Sequence, residues 1–285
     1  MNVTITGATG FIGRRLTEVL QQNSHQVRPL ARAEWNVTAG EPPAQSLANA
    51  DAIVHLAGEP VAQRWTAEAK RKIHDSRVQG THNIVTALST LSRRPQVMVC
   101  ASAIGIYGER GDEILTESSL TGSGFLADVC KEWEQQGDLA VSLGMRVVKL
   151  RTGIVVGRNG GALKKMLPPF RAFVGGKIGS GLQWMSWIHL DDLVGIIRHA
   201  IEHPLNGVVN GTAPNPVTNS QFTRELAGAL HRPALFPVPA LALKAMFGEM
   251  SEILLSSQRV LPKAAESGGY RFRFPQLGGA FRDLL

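Results

Sequence analysis

Residues 3–16 read VTITGATGFIGRRL, and this stretch decides the fold. The apolar run that opens it predicts a short buried strand, and the apolar spacing that closes it predicts a helix. Between them, Gly7 permits a tight turn, Gly10 lets the backbone approach a phosphate, and Gly13 lets the helix pack closely on the strand. The free N–H groups of a helix N-terminus favour anions. This order of strand, loop and helix predicts a dinucleotide site.

The alternation of strands and helices continues well beyond the first turn. Further strands are predicted at residues 26–31, 52–58, 97–102, 146–151 and 208–210. Such alternation predicts an α/β fold, a Rossmann-type doubly wound parallel sheet. The pattern becomes interrupted near residue 155, which predicts a smaller C-terminal substrate lobe. We expect a dinucleotide-binding domain and a smaller lobe with these ranges: 1–155 with 183–212 returning to it, and 156–182 with 213–285.

Several irregular segments carry weaker local patterns. We expect a short strand near Trp35–Val37 and a strand with one polar face at Arg271–Phe274. Two helices are expected to be interrupted, one over Thr66–Leu91 and one over Leu163–Phe173. In the second of these, two adjacent prolines should kink or split the helix.

A later helix over 193–203 is expected to begin at a cap supplied by Asp191 or Asp192. A second cap, Thr218 with Gln221, predicts the start of the following helix.

The composition excludes several classes of protein. The 285 residues are 44% hydrophobic and carry a net charge of +7, but the basic residues form no long run, so we expect no nucleic-acid partner. No segment is long and apolar enough for a membrane span, and no signal peptide is recognisable at the N-terminus. Two distant cysteines and no metal-ligand spacing favour a reducing, cytoplasmic setting without a metal. The sequence leaves open whether the protein forms a homodimer.

The residue at the end of the second strand indicates which dinucleotide binds. In this fold an acidic residue at that position binds the ribose 2′-hydroxyl of NAD, whereas an arginine accommodates the 2′-phosphate of NADP. Arg32 stands there, 19 positions after Gly13, and Glu34 falls beyond the strand end. The sequence therefore favours NADP(H), with NAD(H) as the alternative.

Two polar side chains follow the strand over 97–102. Ser102 ends that strand, and Tyr107 lies just past it in a segment rich in glycine. Open α/β sheets place their sites at this carboxyl edge. His55, in contrast, lies inside an apolar run and is expected to be a packed core residue.

The chain resembles the extended short-chain dehydrogenase/reductase superfamily, and more narrowly its atypical epimerase-family branch, related to NAD-dependent epimerases, dehydratases and sugar-nucleotide epimerases. The superfamily motifs are the glycine loop, His55–Gly58, Ser102 with Tyr107, and Ile188–Asp192. The narrower match rests on residues 56–59, 64–65, 151–157, 160–162, 187–189 and 255–261. The resemblance implies a Rossmann fold, a bound NADP(H), a small-molecule substrate and a small C-terminal domain.

These motifs yield a set of candidate site residues. The expected cofactor-binding residues are Gly7, Thr9, Gly10, Phe11, Ile12, Gly13, Ala31, Arg32, Leu56, Ala57, Gly58, Arg77, Ser102 and Gly153. The expected substrate-binding residues are Arg64, Trp65, Arg151, Trp187 and His189. The catalytic candidates are Ser102 and Tyr107, the latter as a replacement acid.

The chain departs from the superfamily where the chemistry is usually done. Members use a tyrosine as acid/base and a lysine four residues later, which lowers the tyrosine pKa and holds the nicotinamide ribose. Neither Tyr107 nor Tyr270 has a lysine four residues later. On the corresponding helix, in the register set by Glu134, Leu126 fills the tyrosine position and Cys130 the lysine position.

A second departure concerns the substrate, because Ile154 stands where nucleotide-sugar enzymes of the superfamily carry an asparagine. Three functions remain open. The first is an NADP(H)-dependent oxidoreductase of atypical mechanism acting on a small substrate. The second is a non-catalytic NADP(H)-dependent regulator or sensor, and the third is a nucleotide-sugar epimerase or dehydratase.

Overall fold

The computed structural model describes residues 1–285 and contains a six-stranded sheet in which every neighbouring pair is parallel. The strands of the chain are β1 Asn2–Thr6, β2 Gln26–Leu30, β3 Ala52–His55, β4 Val97–Ala103, β5 Ile114–Leu115, β6 Arg146–Thr152, β7 Ile154–Gly157, β8 Trp184–Met185, β9 Trp187–His189, β10 Gly207–Gly211, β11 Val217–Thr218 and β12 Arg259–Val260. The order in the large sheet is β10-β6-β4-β3-β1-β2.

Eleven α-helices connect or flank these strands. They are α1 Phe11–Gln22, α2 Ala44–Leu47, α3 Ala67–Ser89, α4 Phe125–Asp138, α5 Gly161–Arg171, α6 Leu190–Glu202, α7 Asn219–Leu230, α8 Ala240–Phe247, α9 Glu252–Leu255, α10 Lys263–Ser267 and α11 Leu277–Leu284. None of them is both long and apolar enough to cross a membrane.

The strand order creates a crevice beside β1. The chain runs from β1 to β2 on one side and then crosses to β3 on the other side, so the connections diverge at the carboxyl ends of β1 and β3. In open parallel sheets ligands bind at such a reversal of strand order. The glycine loop between β1 and α1 lies at this point.

Helices cover both faces of the large sheet, as a doubly wound fold requires. One core joins sheet residues such as Val54 and Val148 to Leu16 of α1 and Ile197 of α6. The opposite core joins Met98 and other strand residues to helices α3 and α4 and to a buried tryptophan, Trp35. Strands buried on both faces need near-continuous apolar runs, which explains why the sequence revealed them. The predicted fold class is confirmed.

A separate core lies in the C-terminal part of the chain. Its members come from α5, α7, α11 and β9, and include Phe170, Trp187, Phe222 and Phe281. Two-stranded pairings of β7 with β9 and of β8 with β11 accompany it. The C-terminal part of the chain therefore has a hydrophobic core of its own, while the division into two domains with the given residue ranges stays a prediction.

Three local expectations were wrong because packing overrides local pattern. Trp35–Val37 is irregular rather than a strand, and Trp35 is buried in the core against α3. Helix α3 runs without a break. Helix α5 continues through Pro168 and Pro169, because its apolar side is buried in the C-terminal core.

The cap expected from Asp191 or Asp192 was also misassigned. His189 caps α6, and its ring accepts a hydrogen bond from the N–H of Asp191. Asp192 is instead fully buried and accepts hydrogen bonds from the hydroxyl of Tyr270 and from the N–H groups of Arg273 and Phe274. The segment Arg271–Phe274, which the sequence predicts as a strand, is therefore not a strand. The backbone N–H groups of Arg273 and Phe274 bind the Asp192 carboxylate instead. The capping box of Thr218 and Gln221 is confirmed.

Gly13 is one of the positions where the fold leaves no space for a side chain. A Cβ on Gly13 would lie 2.3 Å from the carbonyl oxygen of Gly7, whereas a Cβ on Gly228 in α7 would meet no atom within 4 Å. We expect Gly13→Ala to lower the free energy of unfolding by about 3 kcal/mol or more. We expect Gly228→Ala, the matched control, to raise it by about 0.5–1 kcal/mol. Urea denaturation measures both, and equal effects would contradict the packing role of Gly13.

Candidate functional site

The loop between β1 and α1 is shaped to hold an anion. Gly7 has a φ of +70°, and its carbonyl accepts a hydrogen bond of 3.0 Å from the N–H of Gly10. Gly10 is the N-cap of α1 and has no side chain to cap it. The first N–H groups of a helix have no intrahelical partner, so here they are free to bind phosphate oxygens.

A cavity of about 500 Å³ opens beside this loop. Seven of the residues predicted to bind the cofactor line it: Gly7, Thr9, Gly10, Arg32, Leu56, Ala57 and Gly58. The cavity is thus formed by the ends of β1, β2 and β3, as the strand order requires. Its size is in the range of ligand pockets.

The residues on the other side of this cavity are not among the site residues predicted from the sequence. It is lined by residues of the loop after β2 and of α3, namely Trp35, Asn36, Val37, Thr38, Arg71, Lys72, Asp75 and Ser76. Arg71 and Lys72 face the same cavity as Arg32, so three cations border it. Each α3 cation has one acidic neighbour: Lys72 lies 2.6 Å from the exposed Glu68, and the exposed Arg71 lies 3.4 Å from the half-buried Asp75. Exposed pairs of this kind are weak, which leaves the cations available to an anion.

His55 fixes the loop after β3 from inside the core. Its Nδ1 lies 2.7 Å from the Thr6 hydroxyl, which accepts a hydrogen bond of 3.3 Å from the N–H of Ala57. Complete burial lowers the pKa of His55 to about 4, so the ring is neutral at pH 7. His55 is a core residue, as expected, and it connects β1 to a loop that lines the cavity.

Several predicted cofactor residues lie outside the cavity lining: Phe11, Ile12, Gly13, Ala31, Arg77, Ser102 and Gly153. The Phe11 ring fills the space over Gly157, Gly160 and Gly161, where any Cβ would lie within 2.7 Å of it. Gly153 is required for packing, because a Cβ there would lie 2.5 Å from the carbonyl oxygen of Ser186.

The catalytic candidates belong to a buried hydrogen-bond network. The Ser102 hydroxyl donates to Glu134 at 2.7 Å, and the Arg151 guanidinium donates two hydrogen bonds to the same carboxylate, at 2.7 and 2.8 Å. Arg151 also donates to the Tyr107 hydroxyl at 3.0 Å, and that hydroxyl lies 2.8 Å from the amide oxygen of Asn210. All five side chains are buried.

This network contradicts the predicted roles of two of its members. Tyr107 is fully buried, its hydroxyl is occupied by Arg151 and Asn210, and burial raises its pKa, so it does not turn into the cleft as an acid. Arg151 is bound to Glu134 rather than free for a substrate anion. The hydroxyl proton of Ser102 is already donated to Glu134, which leaves only its lone pairs for another group.

Three of the remaining substrate candidates also have structural roles. Trp187 is fully buried in the C-terminal core, and its indole N–H donates to the carbonyl of Asn215. His189 is buried as the cap of α6, and burial lowers its pKa. Trp65 is buried and packs edge-on against Phe125, with ring centroids 5.1 Å apart. Arg64 alone is exposed.

The positions of the usual tyrosine and lysine carry no ionised group. Leu126 is half-buried and packs beside Gly105, and Cys130 is buried one turn further along α4. Burial raises the pKa of Cys130 to about 11, so the sulfur stays a neutral thiol at pH 7. No group of three or more side chains in the protein is arranged to hold a metal ion.

Comparison with known proteins gives two matching family descriptions. The profile of the NAD dependent epimerase/dehydratase family matches residues 3–213, and that of a domain of unknown function (DUF1731) matches residues 238–284. An Arabidopsis thaliana protein named Epimerase family protein SDR39U1 homolog, chloroplastic, is 41% identical over 100% of this chain and 87% of its own length. Epimerase family protein SDR39U1 of Homo sapiens is 36% identical over the full length of both chains.

Solved structures agree with these matches. A crystal structure of the human SDR39U1 isoform 2 with NADPH has a TM-score of 0.90 at 34% identity and covers 100% of this chain and 99% of that one. A structure of MoeE5 with UDP-glucose and NAD has a TM-score of 0.78 at 19% identity, covers 100% of this chain and 97% of that one, and shows a shared fold.

The pairing of Glu134 with Arg151 gives a prediction about stability. Glu134→Leu leaves a buried guanidinium without its carboxylate, and we expect it to lower the free energy of unfolding by about 3–5 kcal/mol. The double variant Glu134→Leu with Arg151→Met removes both charges and should recover most of that loss. Urea denaturation of the two variants tests this, and a loss below about 1 kcal/mol for the single variant would contradict it.

Proposed function

The chain belongs to the NAD dependent epimerase/dehydratase family, and from that premise we propose that it binds NADP(H) and acts as an oxidoreductase on a small substrate. The observation that carries the proposal is the cavity beside the glycine loop, which combines an uncapped helix N-terminus with three cations. Both features favour a ligand with phosphates at two places, as in NADP(H).

The pyrophosphate of the cofactor fits the N-terminus of α1. The free N–H groups of its first turn and the positive end of the helix dipole suit two adjacent phosphates. Gly7 and Gly10 leave the backbone without side chains where the phosphates would approach. This part of the site does not distinguish NADP(H) from NAD(H).

The 2′-phosphate distinguishes them, and it fits the cations at the end of β2 and on α3. Arg32, Arg71 and Lys72 line the cavity from two sides. Glu34, the nearest acidic residue after β2, lies outside the lining and accepts a hydrogen bond of 3.4 Å from the N–H of Ala31. The human relative crystallised with NADPH, 34% identical, supports the same cofactor here.

The proposed reaction is a hydride transfer without a side-chain proton relay. Bound NADP(H) would supply or accept the hydride. Tyr107 is enclosed, Leu126 has no proton to give, and Cys130 is a buried thiol. We therefore propose that the proton comes from water or from the substrate itself. A small-molecule substrate and a cytoplasmic location are part of this proposal.

A second candidate is an NADP(H)-dependent regulator or sensor without turnover. The observation that favours it is the buried network itself, in which Ser102, Tyr107 and Arg151 stabilise the fold instead of facing a substrate. A nucleotide-sugar reaction has less support, because Ile154 pairs with Trp187 between β7 and β9 and offers no polar group to a sugar nucleotide.

Cofactor choice gives a direct test. We expect Arg32→Asp to weaken NADPH binding by more than about tenfold, because it replaces a cation at the 2′-phosphate with a like charge, and to change NADH binding little. Arg28→Asp, an equal change of charge on an exposed β2 residue outside the cavity lining, is the matched control. Isothermal titration calorimetry measures both ligands, and equal losses for NADPH and NADH would overturn the assignment.

Turnover distinguishes the two candidate functions. We expect the protein to oxidise NADPH with at least one compound of a carbonyl panel, and we expect Tyr107→Phe to retain most of that rate, since the hydroxyl is not the proton donor. NADPH consumption followed by absorbance measures it. Tight NADPH binding without turnover, together with a different oligomeric state in NADPH and NADP⁺, would replace the oxidoreductase with the regulator.

A further inference from the structure

Arg77 is a cation in the middle of α3 that the proposed function does not yet use. Its guanidinium lies beside the loop after β3, where a Cβ on Gly58 would be 3.4 Å from the guanidinium carbon. Gly58 itself lines the cavity. Arg77 is therefore next to the cofactor cavity but further along α3 than Arg71, Lys72 and Ser76, which line it.

Only one nitrogen of this guanidinium is occupied. Nη1 donates to the carbonyl oxygens of Glu59 and Ile73, at 3.0 and 3.1 Å. Neither Nη2 nor Nε donates a hydrogen bond within the protein, and neither is a fully buried atom without a partner. These donors are thus free to bind an oxygen of another molecule.

The guanidinium also packs on α4, close to the turn of that helix that would carry the superfamily's lysine. Its central carbon is 5.2 Å from the centre of the Trp133 ring. Trp133 and Cys130 are three residues apart on α4, so they share one face of that helix. Arg77 therefore packs beside the face of α4 that carries Cys130, the residue at the lysine position.

We propose that Arg77 is the cation that binds the nicotinamide half of NADP(H), donating from Nη2 and Nε to the ribose hydroxyl oxygens in place of the absent lysine. This inference rests on the proposed function. A guanidinium holds its proton at any physiological pH, so Arg77 replaces the binding role of the lysine and not its part in proton transfer. The cofactor would then be held at both ends although the acid/base pair is absent.

The test compares two ligands that differ only at the nicotinamide end. Calorimetric titration uses NADPH and adenosine 2′,5′-bisphosphate, which has the adenosine with its 2′- and 5′-phosphates but lacks the nicotinamide riboside and the second phosphate of the pyrophosphate. We expect Arg77→Gln to weaken NADPH binding by about tenfold or more and to leave binding of the bisphosphate within about twofold. Arg77→Lys keeps the charge and should recover much of the NADPH affinity.

Arg71→Gln is the matched control, because Arg71 lines the adenosine cavity and its loss should weaken both ligands alike. Equal losses for both ligands in Arg77→Gln, or no loss for either, would overturn the inference, as would an Arg77→Lys variant no better than Arg77→Gln. Retained binding of the bisphosphate also reports that the variants are folded. Failure of the wild-type protein to bind either ligand would instead overturn the proposed function.

Discussion

The buried ion pair between Glu134 and Arg151 is the interaction on which the structure around the sheet edge depends. It joins α4 to β6, and through Ser102, Tyr107 and Asn210 it extends to β4, to the segment after β4, and to β10. A buried charge without its partner is strongly unfavourable, so each member holds the others in place. The carboxyl ends of three neighbouring strands are thereby fixed relative to α4.

This interaction divides the candidate site into two unlike halves. On the side of β1 and β2, backbone N–H groups and exposed cations are left without strong partners, which suits a ligand with several phosphates. On the side of β4 and β6, the polar groups have found partners within the protein. The first half can therefore bind a phosphate-bearing ligand. In the second half the polar side chains bind one another and stabilise the fold.

The sequence revealed those parts of the molecule that local pattern determines. The glycine loop and the buried strands were predictable, because close backbone approach needs glycine and a strand covered on both faces needs an apolar run. The direction of Tyr107 was not predictable, since it depends on Arg151 and Asn210, which are 44 and 103 residues away. Arg71 and Lys72 were missed because cations near the start of a helix look like an ordinary solvated face until the loop after β2 is placed opposite them. Arg271–Phe274 alternates like a strand, and only the buried carboxylate of Asp192 decides otherwise.

The two adjacent carboxylates at the start of α6 have a consequence for how the molecule opens. Asp192 holds the backbone of Arg273 and Phe274, and Asp191 accepts hydrogen bonds of 2.7 and 3.1 Å from Arg15 of α1. One helical turn thus connects the first helix of the chain to a segment near its end. Proteins open in cooperative units, and a unit is defined by the contacts that must break together. We therefore expect the beginning and the end of this chain, more than 250 residues apart in sequence, to open as one such unit.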